Sequence, residues 1–296
     1  MATPLAETIL ITGASGFLGG ALAERLRGTA PRICLLGRSR SDFGALGTGF
    51  DVLRADTPDE IVATVNSIAP TMVYNCAGRV LTDHRPCDVG DLIGSNVAFF
   101  AALLDGLSRS VPVIRMVNVG TYLEHGPDGR VAPNSLYAAT KQACYPIADF
   151  YSSRVPLRMM TVKPSVMYGP SEKRWRLINL LVAAARDGRE LNMSPGAQRI
   201  NVLHGDDAVN ALLAAARLCL GEDTGLCGEY FALSDDTLTV RELAATVERI
   251  AGRSLKINWD AVPYKETEVM YPYVDGPRVP GWRAEIDLAS GISDLL

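Results

Sequence analysis

Histidine, paired cysteine and excess basic charge are all scarce in this 296-residue chain. Each shortage argues against a class of function. Only three histidines occur, His84, His125 and His204, and no two lie at metal-ligand spacing. A zinc hydrolase is therefore not expected, and no metal site is assigned. The six cysteines, Cys34, Cys76, Cys87, Cys144, Cys219 and Cys227, contain no C-x-x-C. Neither a zinc ribbon nor a thioredoxin-type pair is encoded. Lys and Arg number 29 against 33 Asp and Glu, a net charge of −4. Nucleic acid is not an expected partner, because phosphate contacts need a basic surplus. The longest apolar stretches, Leu177–Ala185 and Val97–Leu104, fall far short of the ~18 residues of a membrane span. Met1–Glu7 lacks a basic region followed by an apolar one, so no signal peptide is expected. With scattered cysteines, this points to a reducing cytoplasm. Of the 29 basic residues, 24 are Arg, which reads mainly as genome composition.

What is present is a core. Hydrophobic residues make up 48% of the chain, enough for one large domain or two small ones. Short β-branched runs alternate with helical patterns. Strands are expected over Thr8–Thr12, Arg32–Leu36, Phe50–Arg54, Thr71–Asn75, Val113–Val119 and Arg158–Lys163. Helices are expected over Phe17–Leu26, Asp59–Ile68, Ala98–Leu107 and Ser135–Tyr151. Such alternation implies βαβ units and a doubly wound parallel sheet, an α/β fold. The rhythm changes after Pro164. Residues 1–164 read as the sheet domain and 165–296 as a smaller lobe. In the second part helices are expected at Trp175–Arg186, Asp206–Cys219 and Val240–Ala251, with strands at Ile200–His204 and Glu229–Leu233. Segments near 200–233 can return to the first sheet, so the boundary is soft.

The first strand runs into Thr12-Gly13-Ala14-Ser15-Gly16-Phe17-Leu18-Gly19. The bare spacing G-x-x-G-x-x-G is weak, but here it follows a strand and opens a helix. Glycine there permits a tight turn and lets backbone N–H groups approach a pyrophosphate at the positive helix end. The fold expected is thus Rossmann-like, with Gly13, Ser15, Gly16, Phe17, Leu18 and Gly19 on a dinucleotide. The second strand ends in Leu36-Gly37-Arg38-Ser39-Arg40. An acid there would take a ribose 2′-hydroxyl; Arg38, with Ser39 or Arg40, suits a 2′-phosphate instead, which favours NADP(H). Asp56 is placed either to meet the adenine edge or to cap the following helix.

Tyr137-Ala138-Ala139-Thr140-Lys141 is the one Y-x-x-x-K in the chain. The i, i+4 spacing puts both side chains on one helix face. A free phenol, with a pKa of about 10, is a poor acid–base group at neutral pH. A neighbouring ammonium stabilises the phenolate and brings it into range. Pro146 follows within the same helical pattern and predicts a kink one turn past Lys141.

These two motifs resemble those of the extended short-chain dehydrogenase/reductase family, and the resemblance covers nearly the whole chain. Asn75-Cys76-Ala77-Gly78 resembles the family's Asn-Ala-Ala-Gly element beside the cofactor. Asn96 resembles its central-helix asparagine, and Val119-Gly120-Thr121 its Ser/Thr site. Lys163-Pro164-Ser165-Val166-Met167-Tyr168-Gly169-Pro170 resembles the segment bordering the nicotinamide. Arg199–Asp207 resembles the segment that brings a diphosphate-binding arginine and an Asp-Asp turn. The resemblance implies Tyr137 as proton donor or acceptor, Lys141 on the nicotinamide ribose and Thr121 on the reacting carbonyl. Tyr122 and Ser165 lie close enough to share that last role. It implies cofactor contacts from Asn75, Ala77, Gly78, Asn96, Pro164 and Val166. Substrate contacts are expected from Val80, Thr121, Tyr122, Ser165, Trp175, Asn179 and Arg199. His204, Cys76 and Cys144 are expected to be packing residues.

Family members that dehydrate resemble one another in an Asp-Glu pair after the triad threonine; here Tyr122-Leu123-Glu124 follows. Members that epimerise at C4 carry an acid where Arg38 stands. The tail motifs Tyr264-Lys265-Glu266, Glu268-Val269-Met270 and Pro280-Gly281-Trp282 resemble the branch with CDP-abequose and paratose synthases and 4-ketoreductases. The expectation is an NADPH-dependent 4-ketoreductase of a nucleoside-diphosphate 4-keto-6-deoxyhexose. The alternatives are a nucleotide-sugar 4-epimerase and a non-catalytic dinucleotide sensor. A homodimer through the Ala98–Leu107 and Ser135–Tyr151 helices is implied by the same resemblance.

Overall fold

The computed structural model describes residues 7–172, 176–221 and 227–296. The chain opens with β1 (Thr8–Thr12), α1 (Phe17–Leu26), β2 (Arg32–Gly37), β3 (Asp51–Arg54), α2 (Pro58–Ile68) and β4 (Met72–Asn75). A helical run follows, with α3 (Val89–Ile93), a wider turn at Gly94–Ala98 and α4 (Phe99–Ser110). Then come β5 (Ile114–Val119), α5 (Leu136–Gln142), α6 (Cys144–Ser152), β6 (Leu157–Pro164) and β7 (Val166–Tyr168). The remainder is α7 (Leu177–Asp187), β8 (Glu190–Asn192), β9 (Arg199–His204), α8 (Gly205–Leu220), β10 (Gly228–Ala232), β11 (Thr237–Thr239), α9 (Val240–Ala251), β12 (Lys256–Asn258) and α10 (Leu288–Ser293).

Seven parallel strands form the main sheet in the order β10-β6-β5-β4-β1-β2-β3. Both faces are covered, which the side-chain alternation records directly. Ile9 and Ile11 enter the core under α1 and α8, with Leu22, Leu35, Val117 and Leu212. Leu10, between them, enters the opposite core with Val65, Val73, Phe100 and Leu104 under α2 and α4. Each such side chain contributes about 1.5–3 kcal/mol by leaving water. The chain reverses its direction of growth between β1 and β4, and there the strand ends diverge into a crevice, the place where such sheets take ligands.

The lobe has its own core of Tyr168, Ile178, Leu181, Val202, Leu243, Val247 and Ile292. Its three-stranded sheet runs β11-β9-β7 and a two-stranded one pairs β12 with β8. Two elements beyond Pro164 join the main sheet: α8 packs on one face, and β10 extends the edge beside β6. The last part of the chain fastens the two together. Asp207 accepts from the N–H groups of Glu285 (3.1 Å) and Ile286 (3.0 Å), and Phe231 N–H donates to Pro277 C=O at 2.7 Å.

Four details depart from the sequence reading. The single helix expected over Ser135–Tyr151 is two, interrupted at Ala143. Pro146 has no N–H for the Gln142 carbonyl, so the break falls one turn upstream of the ring. Val166–Tyr168, where no strand is expected from the sequence, forms a strand beside β9. The helix expected from Trp175 begins at Leu177, and Trp175 itself lies outside the described residues. The helical run Pro86–Ser110 spans 25 residues and is long and apolar enough to cross a membrane by length and composition. Here it lies along the sheet, with Leu92, Phe100, Leu103, Leu104 and Leu107 buried, as a core helix does.

Candidate active site

The crevice opens directly above the glycine turn. Gly13 sits at φ +72°, and a Cβ there would lie 2.6 Å from the backbone of Cys76 and Ala77. A Cβ on Gly19 would lie 2.4 Å from the Gly13 carbonyl oxygen. These two glycines let the turn after β1, the loop after β4 and the first turn of α1 close on one another. Helix α1 starts at Gly16 without a side-chain cap and without an acid in its first turn. Its end is thus positive and uncovered, as an anion requires.

Two chambers flank this turn and share Gly13, Ser15, Gly16, Cys76 and Gly78 in their walls. The smaller, about 380 Å³, is walled by Arg38, Ser41, Asp56, Ile61, Ser95 and Phe99. The larger, about 770 Å³, runs past Val80, Thr121, Tyr122, Leu123, Tyr137, Lys141, Pro164, Ser165 and Val166 to Glu172 and Arg176. A dinucleotide fits this division, with its pyrophosphate on the glycine turn, its adenosine in the smaller chamber and its reactive ring in the larger.

Tyr137 and Lys141 lie on α5, which Ser135 caps by accepting from Ala138 N–H at 3.3 Å. Both are buried yet border the larger chamber. Lys141 Nζ donates to Ala77 C=O at 3.3 Å. A Cβ on Gly78 would lie 2.9 Å from that ammonium, so glycine keeps its place open. Burial holds the Lys141 ammonium below its ordinary range, opposed by Cys144, Glu124 and Cys76. Burial pushes the Tyr122 phenol upward, the Arg176 guanidinium opposing it. Thr121 Oγ1 accepts from Leu123 N–H at 3.4 Å, which leaves its O–H to donate into the chamber. Ser165 Oγ is buried there without a protein partner.

A family model described as the NAD dependent epimerase/dehydratase family matches residues 9–225. The chain belongs to that family. It is 23% identical over 266 residues to a CDP-abequose synthase of Yersinia pseudotuberculosis, covering 89% of this chain and 91% of that one. It is 25% identical over 281 residues to a dTDP-glucose 4,6-dehydratase of Streptomyces antibioticus, covering 86% and 79%. Among solved structures, a UDP-glucose 4-epimerase from Thermotoga maritima with UDP-glucose superposes with a TM-score of 0.84 at 17% identity, over 97% of each chain. The likeness extends to a dTDP-glucose 4,6-dehydratase from Streptomyces venezuelae solved with NAD and TYD, with a TM-score of 0.81 at 20% identity, over 97% of this chain and 94% of that one.

Against this family background, several expected site residues stand elsewhere. Asn75 lines neither chamber. It accepts from Thr12 Oγ1 at 2.7 Å and donates to Asn118 Oδ1 at 2.8 Å, and Asn118 donates on to Thr161 Oγ1 at 3.4 Å. This polar string crosses four parallel strands just below the crevice and is fully enclosed, so Asn75 acts through Thr12, which holds Ala77 N–H at 3.2 Å. Asn96 likewise sits behind the wall. It bonds Arg79 N–H at 2.7 Å and Thr140 Oγ1 at 2.8 Å, fixing the β4 loop to α5. Ser39 spends both its N–H and its O–H on the Asp56 carboxylate. Those bonds, with Arg38 and Arg40 nearby, hold Asp56 below the usual carboxylate range. Asp56 caps nothing: Thr57 and Glu60 form the capping box of α2. Arg38 remains exposed on the smaller chamber, 3.5 Å from Ser95 Oγ. Arg199 donates to Thr237 C=O at 2.6 Å at the edge of the lobe, outside the chamber walls. Asn179 is absent from the walls and keeps a buried Oδ1 without a partner.

The sequence reading missed Arg176 and Glu172, paired at 3.0 Å on the rim of the larger chamber. They belong to an irregular loop without periodicity, which offers no motif to find them by. It also missed Glu124 and Lys163. Both are fully buried and 3.0 Å apart, behind Thr121.

Proposed function

We propose that this protein is an NADPH-dependent 4-ketoreductase acting on a nucleoside-diphosphate 4-keto-6-deoxyhexose. The observation that carries the reading is the proton inventory of the larger chamber. Dehydration needs acid and base groups at two sugar carbons. The side chains that follow Thr121 into the chamber are Tyr122 and Leu123, and the next, Glu124, is turned away into a buried pair with Lys163. Net reduction needs one proton donor, and the Tyr137–Lys141 pair meets that need. Arg38 on the smaller chamber supports a 2′-phosphate, hence NADPH. The similarity to CDP-abequose synthases, which spans most of both chains, agrees with a nucleotide sugar.

Bound in the crevice, a nicotinamide dinucleotide supplies the hydride. Thr121 O–H donates to the ketone oxygen, and Ser165 Oγ is a second donor within the same wall. As the carbonyl carbon is reduced, Tyr137 passes its phenolic proton to the oxygen, which becomes the alcohol. Lys141 stabilises the phenolate left behind and donates to the nicotinamide ribose. Arg176, in the wall of the larger chamber, is placed to meet the diphosphate, whereas the Arg199 guanidinium is engaged by Thr237 C=O. Val80 and Leu123 give an apolar wall suited to a sugar methyl.

A panel of nucleoside-diphosphate 4-keto sugars, each with NADPH and with NADH, tests the assignment at the nicotinamide absorbance. Loss of absorbance with NADPH is expected for at least one member, and Tyr137→Phe should slow it by about 10²–10⁴-fold. Absence of oxidation across the panel, or unchanged turnover in Tyr137→Phe, would sink the reading. Sugar interconversion without NADPH consumption would identify a 4-epimerase instead.

A further inference from the structure

The turn that carries Arg38 is held from behind by a second arginine, Arg54, which lines neither chamber. Strand β2 ends at Gly37, and Arg38–Ser41 form a β-turn closed by Ser41 N–H donating to Arg38 C=O at 2.9 Å. Ser41 Oγ accepts in return from Arg38 N–H at 3.0 Å. Gly37 lets this turn fold back over the strand end. A Cβ there would lie 2.7 Å from the Phe43 ring and 3.0 Å from Ser41 Oγ. Arg54 closes β3 and stands opposite Gly37 in the parallel register. Its Nη1 donates to Arg38 C=O at 2.7 Å and to Ser41 C=O at 2.6 Å, and Ser39 C=O lies 3.4 Å away. The guanidinium is 4.9 Å from the centre of the Phe43 ring, which is itself buried.

Three of the four carbonyls of the turn thus converge on one nitrogen. Carbonyl oxygens gathered in this way repel one another, because their dipoles meet negative end to negative end. A cationic donor at the point of convergence reverses the sign of that interaction, and bonds from a charged donor are the stronger kind. Two residues further on, Asp56 takes the Ser39 N–H at 3.1 Å and also the Ser39 hydroxyl. The end of β3 therefore grips the turn twice, with a cation on its carbonyls and an anion on Ser39. On the far side of this grip, Arg38 and Ser41 line the smaller chamber, with Arg38 Nη1 3.5 Å from Ser95 Oγ. An anion that met Arg38 on a loose turn would have to order the turn as well as the side chain. On a turn already fixed, only the side chain is ordered, and binding is tighter by the difference.

We propose that Arg54 is a positioning residue for cofactor selectivity: it gathers the carbonyls of the Arg38–Ser41 turn and so presents Arg38 to the 2′-phosphate of NADPH. Arg54 acts through the turn and does not meet the phosphate. NADH carries no group for Arg38 to meet, so its binding draws little on the turn. The proposal rests on the assignment of Arg38 to a 2′-phosphate, and it is independent of which sugar is reduced.

Titration of the full protein with NADPH and with NADH, followed by nicotinamide fluorescence, tests it without any sugar substrate. The quantity read is the ratio of the two Kd values. Arg54→Met keeps an unbranched stem beside Phe43 and removes every donor. It should weaken NADPH binding about tenfold and leave NADH binding within about threefold. Arg54→Lys keeps the charge, but a single ammonium lacks the planar fork, so about threefold of the selectivity should be lost. This variant carries the test if Arg54→Met does not fold. The double variant R38A/R54M separates position from charge. In the Arg38→Ala background, Arg54→Met should change the ratio by less than about twofold, because the side chain that the turn presents is already gone. A further tenfold loss in that background would mean that Arg54 meets the phosphate directly, and would overturn the proposal. So would a ratio unchanged in both single variants, or NADH weakened as much as NADPH. Wild-type protein that binds NADH as tightly as NADPH would remove the 2′-phosphate assignment and the proposal together. A selective wild type with equally selective Arg54 variants would remove the proposal alone.

Discussion

At the residue scale, charge at two side chains decides most of the expected behaviour. Arg38 is exposed on the smaller chamber, and its backbone is held by Arg54, which donates to Arg38 C=O at 2.7 Å and Ser41 C=O at 2.6 Å. The loop is therefore set independently of the Arg38 side chain. Arg38→Ala should weaken NADPH binding by about 10–100-fold, the worth of a charge-assisted bond of about 1.5–3 kcal/mol. NADH binding, measured by fluorescence titration, should stay within about threefold of the wild type. Equal losses for both cofactors would remove the 2′-phosphate assignment. Lys141 works in the opposite sense for stability. Burial holds its ammonium below the ordinary value of 10.5, so the unfolded chain binds that proton more tightly than the folded one. Folding then carries a penalty that is complete below the folded pKa. Relief comes as pH rises through that value toward the unfolded one. Lys141→Met should accordingly raise the melting temperature at pH 7, by a margin that shrinks as the pH approaches 10, while turnover collapses. A lower melting temperature at pH 7 would contradict the penalty.

At the scale of elements, the parts with strong periodicity were legible and the parts set by distant contacts were not. The run Thr8–Thr12 followed by glycines at 13, 16 and 19 encodes strand, turn and helix in adjacent residues, and the structure has them within those bounds. Tyr137 and Lys141 share a helix face because four residues separate them, which needs no tertiary information. The break at Ala143 was half legible, since Pro146 announces a lost hydrogen bond but not the residue that absorbs the change. Asn75 and Asn96 show the limit more clearly. A resemblance of motif places them beside a cofactor, yet each is consumed by neighbours 17 to 63 residues away. Nothing local distinguishes an asparagine that faces a ligand from one that holds the loop that does. Glu124 and Lys163 are the extreme case. Neither is singled out by its local sequence, and the parallel pairing of β5 with β6 brings them together in the interior. Arg199 shows the converse: the strand expected over Ile200–His204 begins one residue earlier, and the edge pairing of β9 with β11 gives the guanidinium the Thr237 carbonyl.

At the scale of the whole molecule, the homodimer that the sequence resemblance implies can be tested at exposed apolar side chains. The helical run of α3 and α4 packs beside α6 along one face of the sheet. Val89 and Ile93, one turn apart on α3, are 38% and 42% exposed, and Phe150 on α6 is 51% exposed. Phe150 also carries the Arg154 guanidinium over its ring at 4.1 Å, with Tyr151 at its edge, so it presents a pre-ordered surface. Single exposed hydrophobes are common on monomers; these three lie on the α3–α4 run and on α6, which packs against α4, the helices that a symmetric contact would cover. The expected assembly is a homodimer of the 31.8 kDa chain through these helices. Sedimentation velocity should give a species of about twice the chain mass, and the double variant I93D/F150D should shift it to the monomer. Neither residue lines the crevice chambers, so the monomeric variant should still bind NADPH, with a lower melting temperature where the dimer contributes stability by mass action. A wild-type chain that sediments as a monomer at concentrations of tens of micromolar would remove the dimer. A variant that stays dimeric would move the contact to another face.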